Sequence, residues 1–131
     1  MQRLATNLRL AQEAEPEGGD LFHALRDGAI QSFEFTFDTA IKTVKRLVED
    51  RANPPNIDSL PFRDLLRIAA EIGLVDEIEP WIAFRAHRNE TSHTYNEEKA
   101  RKVYDSLPEV VAAVTALISR TEALVDASHA G

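Results

Sequence analysis

The 131-residue chain contains no cysteine, which excludes disulfide bonds, thiol catalysis and cysteine-ligated metal. Long apolar runs are also missing, because no stretch approaches the roughly 20 apolar residues of a membrane-spanning helix. The N-terminal segment already carries polar and charged side chains by Leu8, unlike the apolar core of a secretion signal. We therefore expect a cytoplasmic protein with no membrane partner.

Positive charge is in deficit, since 15 basic residues face 22 acidic ones and the formal net charge is −7. This balance argues against a protein that coats nucleic acid non-specifically. The charge is uneven, however, because residues 84–104 contain five basic and three acidic residues. We expect any anion-binding site to lie in this window, although chance alone produces differences of this size.

Glycine is scarce, with five residues in 131, and apolar residues recur three or four positions apart through most of the chain. This spacing is typical of amphipathic helices, and the length fits one domain, residues 1–131. We expect a first helix over 2–14, a long second helix from about Asp20 and a linker over 52–60. Two short helices should follow, of which the first ends at Gly73. The last helix should be long and kinked at Pro108, with a frayed tail over 127–131.

Both long helices carry broad apolar stripes. The stripe of the last helix is Ala100, Val103, Leu107, Val111, Val114, Ile118 and Val125. We predict an all-α, up-and-down helical bundle that resembles a four-helix bundle. Phe35 lies roughly opposite Phe33 and Phe37 on the second helix. An aromatic on that side would be exposed in a monomer, so we expect a homodimer.

The segment 85–95 carries the residues best suited to chemistry, with Arg88, Asn89, His93 and Tyr95 between two helical patterns. Arginine is a permanent, forked phosphate ligand, and histidine transfers protons near neutral pH. We interpret Arg88, Asn89 and His93 as a candidate catalytic group acting on a phosphodiester. The alternative is a polar loop whose side chains only cap the two helices.

A polar row on the second helix comprises Asp27, Gln31, Glu34 and Asp38, spaced to share one face. Such a row is usually solvated. The alternative is that Gln31 or Glu34 reaches the candidate catalytic group, with Glu34 pairing to Arg88 or orienting His93. His87 and His93 lack a paired carboxylate at metal-ligand spacing, so we expect no metal and no cofactor. No glycine-rich phosphate loop or Gly-Ser nucleotidyltransferase motif occurs, so the chain should not transfer nucleotides itself.

Two segments resemble the signatures of the nucleotidyltransferase substrate-binding proteins of the HEPN superfamily. The first is RDGAIQSFEFTF at residues 26–37, followed by KTVK at residues 42–45. The second is RNETSHTYNE at residues 88–97. The resemblance covers nearly the whole chain, with one departure, because Ile41 stands where the family has tryptophan.

The resemblance implies a dimerising helical bundle and a companion minimal nucleotidyltransferase. Superfamily members with an Arg-x4–6-His motif are similar to metal-independent endoribonuclease toxins, which carries catalytic roles to Arg88 and His93, with Asn89 between them. It implies RNA as substrate. A tyrosine two residues after the histidine is, in such members, the position where the partner adenylylates and silences the toxin, and Tyr95 matches it. The alternative for Tyr95 is simple packing against the last helix. The family name implies a second role, a non-catalytic subunit that presents substrate to the nucleotidyltransferase.

Overall fold

A computed structural model describes the backbone of residues 1–130 and the side chains of residues 1–127. Five α-helices follow one another: α1 Gln2–Ala14, α2 Gly19–Ala52, α3 Phe62–Glu71, α4 Glu79–Glu90 and α5 Glu97–Ala130. Single 3₁₀ turns lie at Ile57–Ser59 and Thr91–His93. No strand occurs over this range. The predicted all-α bundle with long second and last helices is confirmed.

The turn between α1 and α2 is made by glycine. Gly18 and Gly19 have φ angles of 64° and 76°, which glycine adopts without the steric cost of a Cβ. This turn lets α1 pack along α2, where Leu4, Leu8 and Ala11 are buried. Helix α2 begins at Gly19, one residue before the predicted start near Asp20.

The C-terminus of α3 follows the prediction at Gly73. Its φ is 87°, and the amides of Gly73 and Leu74 donate to the carbonyls of Ala70 and Ala69 at 3.1 and 2.9 Å. These two bonds form a Schellman motif, which satisfies carbonyls that a helix end leaves free.

The core lies between α2 and α5. Most of the apolar stripe predicted on α5 is buried, but Ile118 and Val125 are exposed, and Val110 and Leu117 are buried in that region. Two adjacent faces of α5 are apolar, and periodicity cannot say which one faces the bundle. The face that remains outside lies beside Phe35, which is 74% exposed.

Helix α5 is one helix with Pro108 inside it, as predicted, and the kink expected at Pro108 stays a prediction. It stays helical as far as Ala130, so the tail expected to be frayed from residue 127 is helical over 127–130; Gly131 lies outside the described residues. The segment 52–60 links α2 to α3 as expected and contains the short turn Ile57–Ser59. No helix within residues 1–130 is both long and apolar enough to cross a membrane.

Candidate functional site

An aromatic cluster sets α4 against α2. Phe37 on α2 lies 6.4 Å, between ring centroids, from Trp81 on α4, and Trp81 meets Phe84 edge to face at 5.5 Å. Trp81 and Phe84 are buried, so this end of α4 is fixed in rotation. Arg88 follows Phe84 by about one helical turn, which brings it opposite the polar row of α2.

Arg88 is held chiefly by Asp38. Its Nε and Nη2 donate to the two carboxylate oxygens of Asp38, each at 3.0 Å, in a bidentate pair. A carboxylate oxygen of Glu34 lies 3.4 Å from Nη1. The hydrogen bond to Asp38 raises the pKa of Arg88, with smaller contributions from the charges of Asp38 and Glu34. The contact between Glu34 and Arg88, which the sequence left as the alternative to a solvated row, is present, and its functional role stays a prediction.

Thr91 completes the frame around Arg88. Arg88 Nη1 donates to Thr91 Oγ1 at 3.0 Å, and that hydroxyl donates to the Arg88 carbonyl at 2.8 Å. Thr91 is buried at the start of the turn Thr91–His93. The turn therefore begins at a residue that contacts Arg88 and ends at His93.

Arg88 retains a donor for a ligand. A guanidinium has five N–H groups, and three of them make the bonds above. The side chain is 30% exposed. One N–H on Nη2 is thus left for an incoming oxygen, whereas Nη1, besides its bond to Thr91, has a carboxylate oxygen of Glu34 at 3.4 Å.

The remaining sequence-predicted residues are open to solvent. His93, Asn89 and Gln31 are exposed, and their side chains make no hydrogen bond to residues 1–127. Tyr95 is 87% exposed, and its ring meets the His93 ring edge to face at 6.1 Å. The structure thus brings Arg88, Glu34 and Thr91 together, places His93 and Tyr95 side by side, and leaves Gln31 outside both groups.

An ion pair that sequence reasoning did not identify fixes the start of α5. Arg26 on α2 is only 4% exposed, and its Nη1 and Nη2 donate to the two oxygens of Glu97 at 2.6 and 2.8 Å. The bond to Arg26 lowers the pKa of Glu97. Glu97 is two residues after Tyr95, so this pair fixes the far end of the 91–96 loop. The sequence did contain a signal for this pair. Arg26 lies four residues from both Phe22 and Ile30, which places it on an apolar face of α2 where a buried arginine needs a partner.

The start of α5 is capped by Asn96, not by Thr94 as the Thr94-x-x-Glu97 spacing suggests. Asn96 Oδ1 accepts from the Lys99 amide at 3.2 Å, the N-cap geometry. Thr94 Oγ1 instead donates to the Thr91 carbonyl at 3.3 Å. Part of the polar loop therefore does cap helices, while His93 and Tyr95 take no part in the capping.

The arrangement offers a fixed cation with one unpartnered N–H near the end of α4, and an imidazole open to solvent on the turn that follows. These groups suit anion binding and proton transfer. Over residues 1–127, no three histidine, aspartate or glutamate side chains converge as metal ligands would.

A family model described as nucleotidyltransferase substrate binding protein like matches residues 3–123. The chain belongs to this family. A Haemophilus influenzae member of similar sequence, named probable ribonuclease HepT, is 46% identical over 78 residues. Those residues are 59% of this chain and 53% of that protein, so the match spans about half of the relative's length.

Solved structures agree with the assignment to the nucleotidyltransferase substrate-binding family. One, from Haemophilus influenzae, is described as revealing the fold of a substrate-binding domain of a nucleotidyltransferase. It superposes with a TM-score of 0.72 at 30% identity, covering 91% of this chain and 96% of the other. A Thermus thermophilus protein gives a TM-score of 0.71 at 28% identity, covering 92% and 96%. The resemblance identified from the two sequence signatures is confirmed.

Proposed function

We propose that this protein is the toxin component of a HEPN-type toxin-antitoxin pair, a metal-independent endoribonuclease that a companion nucleotidyltransferase controls. The observation that carries the proposal is the placement of Arg88 in the last turn of α4 and of His93 at the end of the short turn that follows it. Arg88 is fixed by Asp38 and Thr91 yet keeps one N–H on Nη2 without a partner, and His93 is exposed five residues later.

In this proposal Arg88 binds a non-bridging oxygen of the scissile phosphate, and the Asn89 amide donates a second hydrogen bond. The RNA 2′-hydroxyl loses its proton to His93 and attacks the adjacent phosphorus, and the P–O5′ bond breaks. The products are a 2′,3′-cyclic phosphate end and a 5′-hydroxyl end. The leaving O5′ oxygen needs a proton from a general acid. A single His93 that is acting as the base cannot supply that proton in the same step.

The second histidine would come from a symmetric homodimer. Phe35 is exposed beside a groove of about 310 Å³ between α2 and α5, and Ile118 on the rim of that groove is exposed as well. A two-fold interface brings the same patch of both subunits together, so both copies of the exposed aromatic are buried. Two 88–95 loops lining one cleft would then supply one base and one acid.

The test uses purified protein, RNA and EDTA. We expect cleavage by the wild type and none by His93→Ala. His87→Ala is the matched control, because His87 lies on α4 outside the loop and should leave cleavage intact. Cleavage that survives in His93→Ala, or that EDTA abolishes, would contradict the proposed mechanism.

Tyr95 is the proposed regulatory site. Its exposed hydroxyl lies beside the His93 ring. An attached nucleoside monophosphate would add an anionic phosphodiester within reach of Arg88 and occupy the place of the RNA phosphate. Intact-mass spectrometry after incubation with the companion nucleotidyltransferase and ATP should show a mass gain that Tyr95→Phe removes. A gain that persists in Tyr95→Phe would place the modification elsewhere.

The second candidate is a non-catalytic subunit that presents substrate to a nucleotidyltransferase. The observation in its favour is that two carboxylates of the same chain, Asp38 and Glu34, already compensate Arg88. This candidate predicts that neither the wild type nor His93→Ala cleaves RNA, while both bind the nucleotidyltransferase tightly.

A further inference from the structure

A groove of about 680 Å³ lies between α2, α4 and the segment that leads into α3. We call it the cationic groove; its charged lining comprises Lys42, Lys45 and Arg85, with Asp38 and Asp58. Lys42 and Lys45 are the two lysines of the KTVK segment, for which the catalytic proposal has no role. Asp38 is engaged by Arg88, so the free charges of the groove are three cations against the single carboxylate of Asp58.

The three cations form no ion pair with any of residues 1–127, although the chain has an excess of acidic residues. Elsewhere the basic side chains of the helices are mostly paired, as Arg63 is with Glu79 and Arg120 with Asp76. A cluster of unpaired like charges along a concave surface raises the local concentration of anions. The charge pattern therefore favours an anionic ligand.

Arg85 is positioned for a second kind of contact. Its guanidinium lies over the Phe62 ring at 4.7 Å from the centroid, while the residue remains exposed. One face of the guanidinium is thus supported by an aromatic ring and the other is open. Open arginine planes are stacking surfaces for unpaired bases.

The cationic groove is continuous with the candidate catalytic group. Asp38 lines the groove and also holds Arg88. Lys42 follows Asp38 by four residues, about 6 Å along the helix axis, and Arg85 precedes Arg88 by three residues on α4. On each helix the cations are about one turn apart, Lys42 and Lys45 on α2 and Arg85 and Arg88 on α4, a spacing comparable with that of successive phosphates.

We propose that the cationic groove binds a single strand of RNA on one side of the scissile phosphate, with Lys42 and Lys45 contacting backbone phosphates and Arg85 stacking on a base. The inference rests on the ribonuclease proposal for the choice of RNA, but it concerns binding rather than cleavage.

The experiment measures binding of a fluorescent single-stranded RNA with 2′-O-methyl riboses by anisotropy, over a range of salt concentrations. The test variant is Lys42→Gln with Lys45→Gln. The matched control is Arg3→Gln with Arg9→Gln, which removes the same charge from α1. Two lost phosphate contacts should reduce the slope of log K against log salt by about 1.4, since each contact to a single strand contributes about 0.7. At about 0.05 M salt this corresponds to roughly 60-fold weaker binding, and the control should match the wild type.

Equal slopes and affinities for the lysine variant and the control would overturn the inference, and His93-dependent cleavage would then leave the ribonuclease proposal standing. Conversely, a reduced salt slope in the lysine variant, together with no RNA cleavage by the wild type or any variant, would support RNA binding in the cationic groove and refute the ribonuclease proposal. Unchanged RNA binding, together with lost binding to the companion nucleotidyltransferase, would assign the groove to a protein partner and overturn the inference.

Discussion

Replacing Phe35 by alanine should dissociate the proposed homodimer. The side chain is 74% exposed in one chain, so nearly three quarters of its surface can still be buried in an interface. Full burial of a phenylalanine contributes about 1.5–3 kcal/mol, which leaves roughly 1–2 kcal/mol for this residue. A two-fold interface buries two copies, so the alanine variant should lose about 2–4 kcal/mol of dimer stability, or roughly 30- to 1,000-fold in the dissociation constant.

Sedimentation equilibrium over a range of protein concentrations measures that dissociation constant directly. Phe35→Leu is the control, because it keeps an apolar side chain and should weaken the dimer by less than about tenfold. If two subunits share one catalytic cleft, RNA cleavage by the alanine variant should rise with protein concentration as dimers form. A wild-type chain that stays monomeric at micromolar concentration, or an alanine variant that dimerises as tightly as the wild type, would refute the reasoning.

Three further predictions concern single side chains. Asp38→Asn should lower the rate of single-turnover RNA cleavage about tenfold, because an amide no longer fixes Arg88 through two charge-assisted bonds; an unchanged rate would remove Asp38 from the site. Arg26 holds the pKa of Glu97 below its ordinary value of 4.5, so the stabilisation is present above that pH and is lost as the pH falls through the lowered pKa. The difference in urea midpoint between wild type and Glu97→Gln should therefore shrink on acidification, and a constant difference would contradict this. Gly73→Ala should cost roughly 1–2 kcal/mol of unfolding free energy, because φ is 87° there, and chemical denaturation measures it.

The sequence alone determined the features that depend on local chemistry. Apolar spacing predicted the helices and the bundle, because a period of three to four residues is a property of the helix itself. The end of α3 was predicted from Gly73, because glycine is the residue type that adopts a φ of 87° without strain. The spacing of Arg88 and His93 and the two family signatures could also be recognised in the sequence, since each lies in one continuous segment.

Only the tertiary structure decided which side chains meet. From the polar row of α2 the sequence singled out Gln31 and Glu34, but the bidentate partner of Arg88 is Asp38, and Gln31 lies outside the site. The packing of Trp81 against Phe37 sets α4 against α2 and so decides which residues of the row Arg88 meets. The pair of Arg26 and Glu97 joins residues 71 positions apart. Such contacts depend on the rotation and axial offset of one helix against another. Those quantities are set by side-chain packing over the whole bundle, and local spacing carries no information about them.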